Sequence, residues 1–183
     1  MCDIEQQLIT AAKDGKDNKN FGHLVEMHQV TVRGYLRRLT KGNTALADDL
    51  AQETFLLAFD KITSFNNQGS FKSWLLTIAY RSFLMYIRKQ SSNPLTNSLS
   101  EDILETEENT KIDVIRKIDI EDAIMTLKKY ERSCLSLCYS YGMSHSEISH
   151  IMDMPIGTVK SHIKRGKEKL KLILSPEYEE MQC

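Results

Sequence analysis

Two groups of side chains in this sequence are spaced for contact with another molecule rather than for reaction. Asp49, Gln52 and Glu53 stand at steps of three and four, which puts them on one face of a helix, while Leu50, Ala51, Leu57 and Ala58 fall where they can be buried. With Phe55 and Leu56 alongside, the carboxylates form either a docking strip for a basic partner helix or a solvated acidic face. The second group is cationic. Between 156 and 174 lie Lys160, Lys164, Arg165, Lys167, Lys169 and Lys171 against the single acid Glu168, a run that suits phosphates or a plain solvated face. No paired carboxylates sit in a Gly-rich loop, no metal-ligand motif occurs, and no nucleophile–His arrangement is legible. An enzyme acting on nucleic acid finds little support, and neither a metal nor a cofactor is expected.

The other reactive residue types are scattered. Cys134 and Cys138 are one helical turn apart in a stretch that reads as buried, with Cys2 and Cys183 near the ends. This is neither a zinc pattern nor a secreted disulfide framework, so core thiols are the favoured reading and redox sensing the alternative. His23, His28, His145, His150 and His162 form no ligand set. No signal peptide is expected from the residues given, and no apolar run in them approaches the roughly 18 residues of a membrane span. A cytoplasmic protein with no membrane insertion is expected.

Helices must position these groups. The chain has 183 residues, 41% hydrophobic and 27% charged, with only 8 Gly and 3 Pro. Its apolar residues recur at three- and four-residue steps, so the fold class is all-α, with room for two small domains. The net charge of −1 hides strong segregation. Asp48, Asp49, Glu53 and Asp60 occupy 43–60 without a base, whereas Lys72, Arg81, Arg88 and Lys89 occupy 71–90 without an acid. A chain so divided suits one protein-binding face and a separate DNA face.

The periodicity predicts helices around 21–39, 45–62 and 71–89, with a turn-rich loop from Ser64 to Ser70 between the last two. An N-terminal domain over 1–90 is followed by a flexible acidic linker over 91–110, a second helical domain over 111–175 and a tail over 176–183. In the second domain, 120–127 leads into a helix over 132–140 with Leu135, Cys138 and Tyr139 on one side.

Residues 143–159 read as helix, tight turn and helix. Ser144 and Glu147 have the capping-box spacing, in which each side chain satisfies a free backbone N–H at the other residue. Ile148, Ile151 and Met152 give the first helix its apolar face. Asp153-Met154 breaks the pattern, and Pro155 suits the first turn of the next helix. There, Ile156, Val159, Ile163, Gly166 and Leu170 follow the core period, and the cations fall largely on the other side. A short helix, a turn and a basic amphipathic helix make a DNA-binding helix-turn-helix.

These residues carry a family resemblance. The segment 126–174, with Glu147-Ile148-Ser149, Met154-Pro155-Ile156-Gly157-Thr158-Val159-Lys160-Ser161 and Lys164-Arg165-Gly166-Lys167-Glu168-Lys169-Leu170, resembles region 4 of the bacterial sigma factors. Ala47-Asp48-Asp49-Leu50-Ala51-Gln52-Glu53-Thr54-Phe55-Leu56-Leu57-Ala58-Phe59 resembles sigma region 2.2. Phe71-Lys72-Ser73-Trp74-Leu75-Leu76-Thr77-Ile78-Ala79 resembles region 2.3, and Tyr86-Ile87-Arg88-Lys89 ends region 2.4. The match covers nearly the whole chain apart from the linker and termini. Lacking the extra regions of housekeeping sigmas, the chain is identified as a member of the small extracytoplasmic-function group.

The resemblance implies a protein that binds core RNA polymerase and directs it to particular promoters. Asp49, Gln52, Glu53, Phe55 and Leu56 would meet the clamp helices of the β′ subunit. Promoter DNA at the −10 element would be met by Phe65, Asn66, Asn67, Gln68, Tyr80, Arg81, Arg88 and Lys89, with amides for base edges and Phe65 or Tyr80 for stacking. Phe71 and Trp74 are assigned to the core, with a place for Trp74 beside the strand left open. Thr158, Lys160, Ser161, His162, Lys164, Arg165 and Lys167 would read the −35 element, and the same module would contact the flap of the β subunit. Arg81 stands where the family commonly has Asn, Met85 where it has Asp, and His162 where Arg is frequent. An unusual −10 preference and a weaker or pH-dependent phosphate contact are therefore expected. An anti-sigma factor is expected as a further partner. The alternative is a stand-alone helix-turn-helix regulator, which needs a dimer to reach two half-sites; no coiled-coil seam or ligand domain is evident.

Overall fold

A computed structural model describes residues 2–14, 18–67, 69–91 and 120–175, and among these every regular element is helical. All of the linker expected over 91–110 except Ser91, the start of the second domain over 111–119, Gln68 and the tail lie outside the described residues. The helices are α1 (Cys2–Lys13), α2 (Asn18–Leu39), α3 (Thr44–Lys61), α4 (Phe71–Ser91), α5 (Ile120–Met125), α6 (Lys129–Leu135), α7 (His145–Met152) and α8 (Ile156–Ile173). A 3₁₀ turn, Ile62–Ser64, follows α3, and a π-helical stretch, Ser136–Ser140, continues α6.

In the N-terminal half, α2, α3 and α4 bury Leu24, Val32 and Leu36, then Leu50, Ala51 and Ala58, then Phe71, Leu75, Leu76, Ala79 and Phe83. These are the three- and four-step positions of the sequence pattern. The α2–α3 turn uses Lys41 and Gly42 at positive φ, and Asn43 Oδ1 then accepts the Leu46 N–H at 3.0 Å to cap α3. Short α1 adds Ile9 and Ala12 to the same core.

In the C-terminal half, α6 and α8 pack around Leu135, Val159 and Ile163, and α7 contributes Ile148, Ile151 and Met152. Two expected core positions lie outside: Tyr139 is 61% exposed because the π stretch shifts the register, and Ile156 is 43% exposed at the open start of α8. Cys134 is fully buried, and burial pushes its thiol up to about 12, so at neutral pH it is a core thiol and not a thiolate. Cys138 is half-buried.

Gly166 has a packing reason. A Cβ there would come within 2.5 Å of Leu135 Cδ1 and 3.3 Å of its Cγ. Ala would gain roughly 1 kcal/mol of helix propensity, but overpacking typically costs roughly 1–3 kcal/mol. Gly166→Ala is expected to lower the stability of the C-terminal half in a thermal melt; an unchanged or raised melting temperature would show that Leu135 yields freely.

The halves meet in one continuous core. Tyr35 Oη and Ser133 Oγ share a buried hydrogen bond of 2.6 Å. The ring of Tyr141 packs edge-on to Tyr35 at 5.8 Å and against the Arg38 guanidinium, which also binds Glu121. Lys72 Nζ donates to the Tyr141 carbonyl at 2.9 Å. Arg132 is 1% exposed; it donates to the Leu127 carbonyl at 2.7 Å, to Met125 at 3.2 Å and across the seam to Leu39 at 3.3 Å. Burial lowers its pKa to about 10, still charged at neutral pH, and the carbonyls offset part of its lost hydration, Nε being buried without a hydrogen-bond partner.

Candidate functional site

The helix-turn-helix forms as its sequence dictates. Ser144 Oγ accepts the Glu147 N–H at 3.2 Å, and the Glu147 carboxylate accepts the Ser144 N–H at 2.8 Å, a complete capping box. Asp153 ends α7 at φ 51°, and Ser149 Oγ donates to the Met154 carbonyl at 2.6 Å, tying the turn. Pro155 is the N-cap residue of α8, one position earlier than expected. Burial of Val159, Ile163 and Gly166 turns the opposite face outward: Thr158, Lys160, Ser161, Lys164, Arg165 and Lys167 are exposed. His162 is half-buried on the Tyr130 ring, and its Nδ1 accepts from Arg165 at 3.0 Å. Beneath this face, buried Glu131 binds Lys169 at 2.8 Å and lies 3.7 Å from Arg165, so two of the cations are also anchored.

A second site lies along α4. A cavity of about 700 Å³ is bounded by the 65–70 loop, the α4 residues Trp74, Thr77, Ile78, Arg81 and Met85, and α7 through Ser146, Glu147 and His150. Asn66, Asn67, Arg81, Arg88 and Lys89 are exposed. Phe65 and Tyr80 are not: they are 4% and 2% exposed, sealed into the helical core, so the expectation that either ring offers a free stacking surface is corrected. Phe65 packs on Phe71 and Trp74 at 5.3 and 5.4 Å. Trp74 is the half-buried ring of this cluster, and it lines the cavity. A bulky apolar residue about four turns before the basic end of α4 was the available sequence signal, but its periodicity also fits a core position.

The third site is the outer face of α3. Asp49, Gln52, Glu53 and Leu56 are exposed and Phe55 is half-buried, while Leu50, Ala51 and Ala58 point inward. Beside them a largely apolar groove of about 530 Å³ runs between α2 and α3, lined by Phe21, Val25, Gln52, Phe55, Leu56 and Phe59. An exposed Leu56 (68%) flanked by carboxylates suits a helix that is apolar along one side and basic along the other. The α2 wall of the groove was not singled out in the sequence, because Phe21 and Val25 obey the core period.

Comparison with known proteins accounts for this arrangement. A family model for sigma-70 region 2 matches residues 24–93, and one for sigma-70 region 4 matches residues 117–170. The chain is similar to the extracytoplasmic-function RNA polymerase sigma-E factor of Haemophilus influenzae, 30% identical over 184 residues and covering 94% of this chain and 96% of that protein. The Escherichia coli sigma-E factor is 27% identical over 186 residues, covering 94% and 95%. In fold it is similar to the sigma factor RpoE in complex with the anti-sigma factor NepR from Bartonella quintana, with a TM-score of 0.67, 24% identity and coverage of 85% and 97%. It is likewise similar to CnrH in complex with the cytosolic domain of CnrY, with a TM-score of 0.64, 21% identity and coverage of 93% and 97%.

Proposed function

Because the chain belongs to the extracytoplasmic-function sigma factors of the sigma-70 family, we propose that it docks on core RNA polymerase through α3, opens promoters through α4 and its preceding loop, and selects them through α8. As a sigma factor it directs promoter-specific transcription initiation, and the stand-alone regulator is not favoured. The observation that carries the residue assignments is the exposure of Asp49, Gln52, Glu53 and Leu56 on α3, of Asn66, Asn67, Arg81, Arg88 and Lys89 on and before α4, and of Thr158, Lys160, Ser161, Lys164, Arg165 and Lys167 on α8. We place the halves at 1–90 and 111–175 with a linker over 91–110, a reading supported by two matched segments in that order, 24–93 and 117–170, and the protein works in the cytoplasm without chemistry of its own.

Asp49, Gln52, Glu53, Phe55 and Leu56 receive the β′ clamp helices, and the region 4 module rests on the β flap. Asn66, Asn67, Gln68, Arg81, Arg88 and Lys89 meet the −10 strand, with Trp74 as the stacking ring in place of Phe65 and Tyr80. Thr158, Lys160, Ser161, His162, Lys164, Arg165 and Lys167 meet the −35 duplex. The Bartonella quintana sigma factor is complexed with an anti-sigma factor; a partner of that class fits here, with the seam between the halves already closed.

That seam has a consequence for promoter binding. Elements centred at −35 and −10 are about 25 base pairs apart, roughly 85 Å along B-DNA at ~3.4 Å per pair. Helices α4 and α7 share one cavity, so the halves separate before both elements are engaged.

Docking can be tested by neutralising the strip without changing its size. Asp49→Asn with Glu53→Gln should weaken binding to purified core polymerase about tenfold, chiefly at low salt, because exposed charges at an interface steer association. Unchanged affinity at low and high salt would remove α3 from the docking face.

A further inference from the structure

Helix α1 lies before the segment 24–93 matched by region 2. Its described apolar burial is modest, Ile9 and Ala12. Its polar side chains reach further. Lys13, at its C-terminal end, donates from Nζ to the Phe65 carbonyl, and the ammonium sits 5.3 Å from the centroid of the Phe65 ring. About two turns back along α1, Glu5 Oε1 lies 2.7 Å from Nε2 of buried His28, whose ring packs edge-on to Phe71 at 5.4 Å. Phe65, Phe71 and Trp74 form one cluster with centroids 5.3 to 5.4 Å apart. Both polar reaches of α1 therefore end on the same three rings, and Trp74 carries that cluster to the cavity wall.

The loop they support is tied at both ends. The Phe65 N–H bonds back to the Ile62 carbonyl at 3.1 Å, and at the far end Ser70 Oγ accepts the Ser73 N–H at 3.1 Å. Between these ties Asn67 and Gly69 adopt positive φ, 61° and 107°. A non-glycine residue held there needs its flanks fixed. Lys13 fixes one flank from outside the loop.

We infer that α1 is a brace for promoter opening, with Lys13 and Glu5 as positioning residues that set the Phe65 backbone and the Trp74 ring for an unpaired base. Neither touches DNA; they act through Phe65 and through His28 and Phe71. The inference rests on the sigma-factor reading above. A charge-assisted hydrogen bond at a partly buried site corresponds to roughly tenfold in a rate.

The test uses the full chain with core polymerase and a duplex promoter it transcribes. Trp74 is the only tryptophan, so tryptophan emission of the protein free of polymerase reports this cluster. Lys13→Met should slow opening, read by permanganate reactivity of unpaired thymines, about tenfold, shift the Trp74 emission and leave polymerase affinity unchanged. Lys13→Arg, which keeps a cationic donor, should restore most of the rate, and Glu5→Gln should slow opening more mildly. Opening of Lys13→Met at the wild-type rate overturns the brace. So does a slowing matched by equal loss of polymerase affinity and not relieved by Lys13→Arg, since α1 would then be holding the domain together. If the wild-type protein gives no polymerase-dependent opening on any promoter, the sigma reading itself falls, an outcome distinct from a defect confined to the variants.

Discussion

Replacing Lys164 and Arg165 together with Ala is expected to lower promoter selection roughly a hundredfold and to leave binding to core polymerase unchanged. Each contact to a base edge or phosphate contributes roughly 1–3 kcal/mol, and two together approach or exceed a hundredfold. Both side chains are open to solvent, at 79% and 53%, so Ala removes charge without opening a cavity. Glu131 keeps its 2.8 Å partner Lys169, so the carboxylate under α8 is not stranded. Ala also suits a helix interior. Promoter-library transcription and polymerase affinity, measured on the same preparation, separate the roles. Loss of both together would place polymerase contacts on α8 and contradict the division between α3 and α8.

Gly34→Leu is expected to spring the two halves apart. Gly34 lies within α2, where a Cβ would sit 3.1 Å from Tyr141 Oη, and a leucine reaches well beyond that point. Within α2 the change is favourable by about 1 kcal/mol of helix propensity, so the N-terminal half keeps its fold. At the seam it acts as overpacking, about 1–3 kcal/mol, which shifts the closed–open equilibrium roughly fivefold to a hundredfold or more. Small-angle scattering should report a larger radius of gyration. Quenching of Trp74 by iodide should rise as α7 leaves the cavity that both line. Unchanged scattering and quenching would mean that Tyr141 swings aside and the seam survives. Tyr35→Phe, which leaves Ser133 Oγ buried without its 2.6 Å partner, should open the seam in the same sense.

Where burial follows the helical period, the sequence was a faithful guide. The apolar steps of α2, α3 and α4, the Ser144–Glu147 capping box and the register of Val159, Ile163 and Gly166 all reappear in the structure. Period alone fails where two segments compete for one interior. Phe65 stands among loop formers yet is drawn into the Phe71 and Trp74 rings, and Tyr80 is buried in the middle of α4 although exposed Arg81 follows it. Tyr139 leaves the core because a π turn, which no local residue type announces, rotates the end of α6. The seam was illegible for a different reason: Tyr35 and Ser133 are 98 residues apart, and Arg132 reads as an ordinary surface cation until three carbonyls surround it. Helix α1 passed unmarked because it is short and exposes Ile4 at 61%, which blurs its apolar stripe.

The most direct test of the central claim is run-off transcription with purified core polymerase, this protein and a library of upstream DNA, with binding of DNA by the protein alone as the control. Transcripts that start at a shared promoter sequence only when polymerase and protein are mixed are the predicted result. No stimulation of polymerase, together with tight polymerase-independent binding to a palindrome, would contradict it.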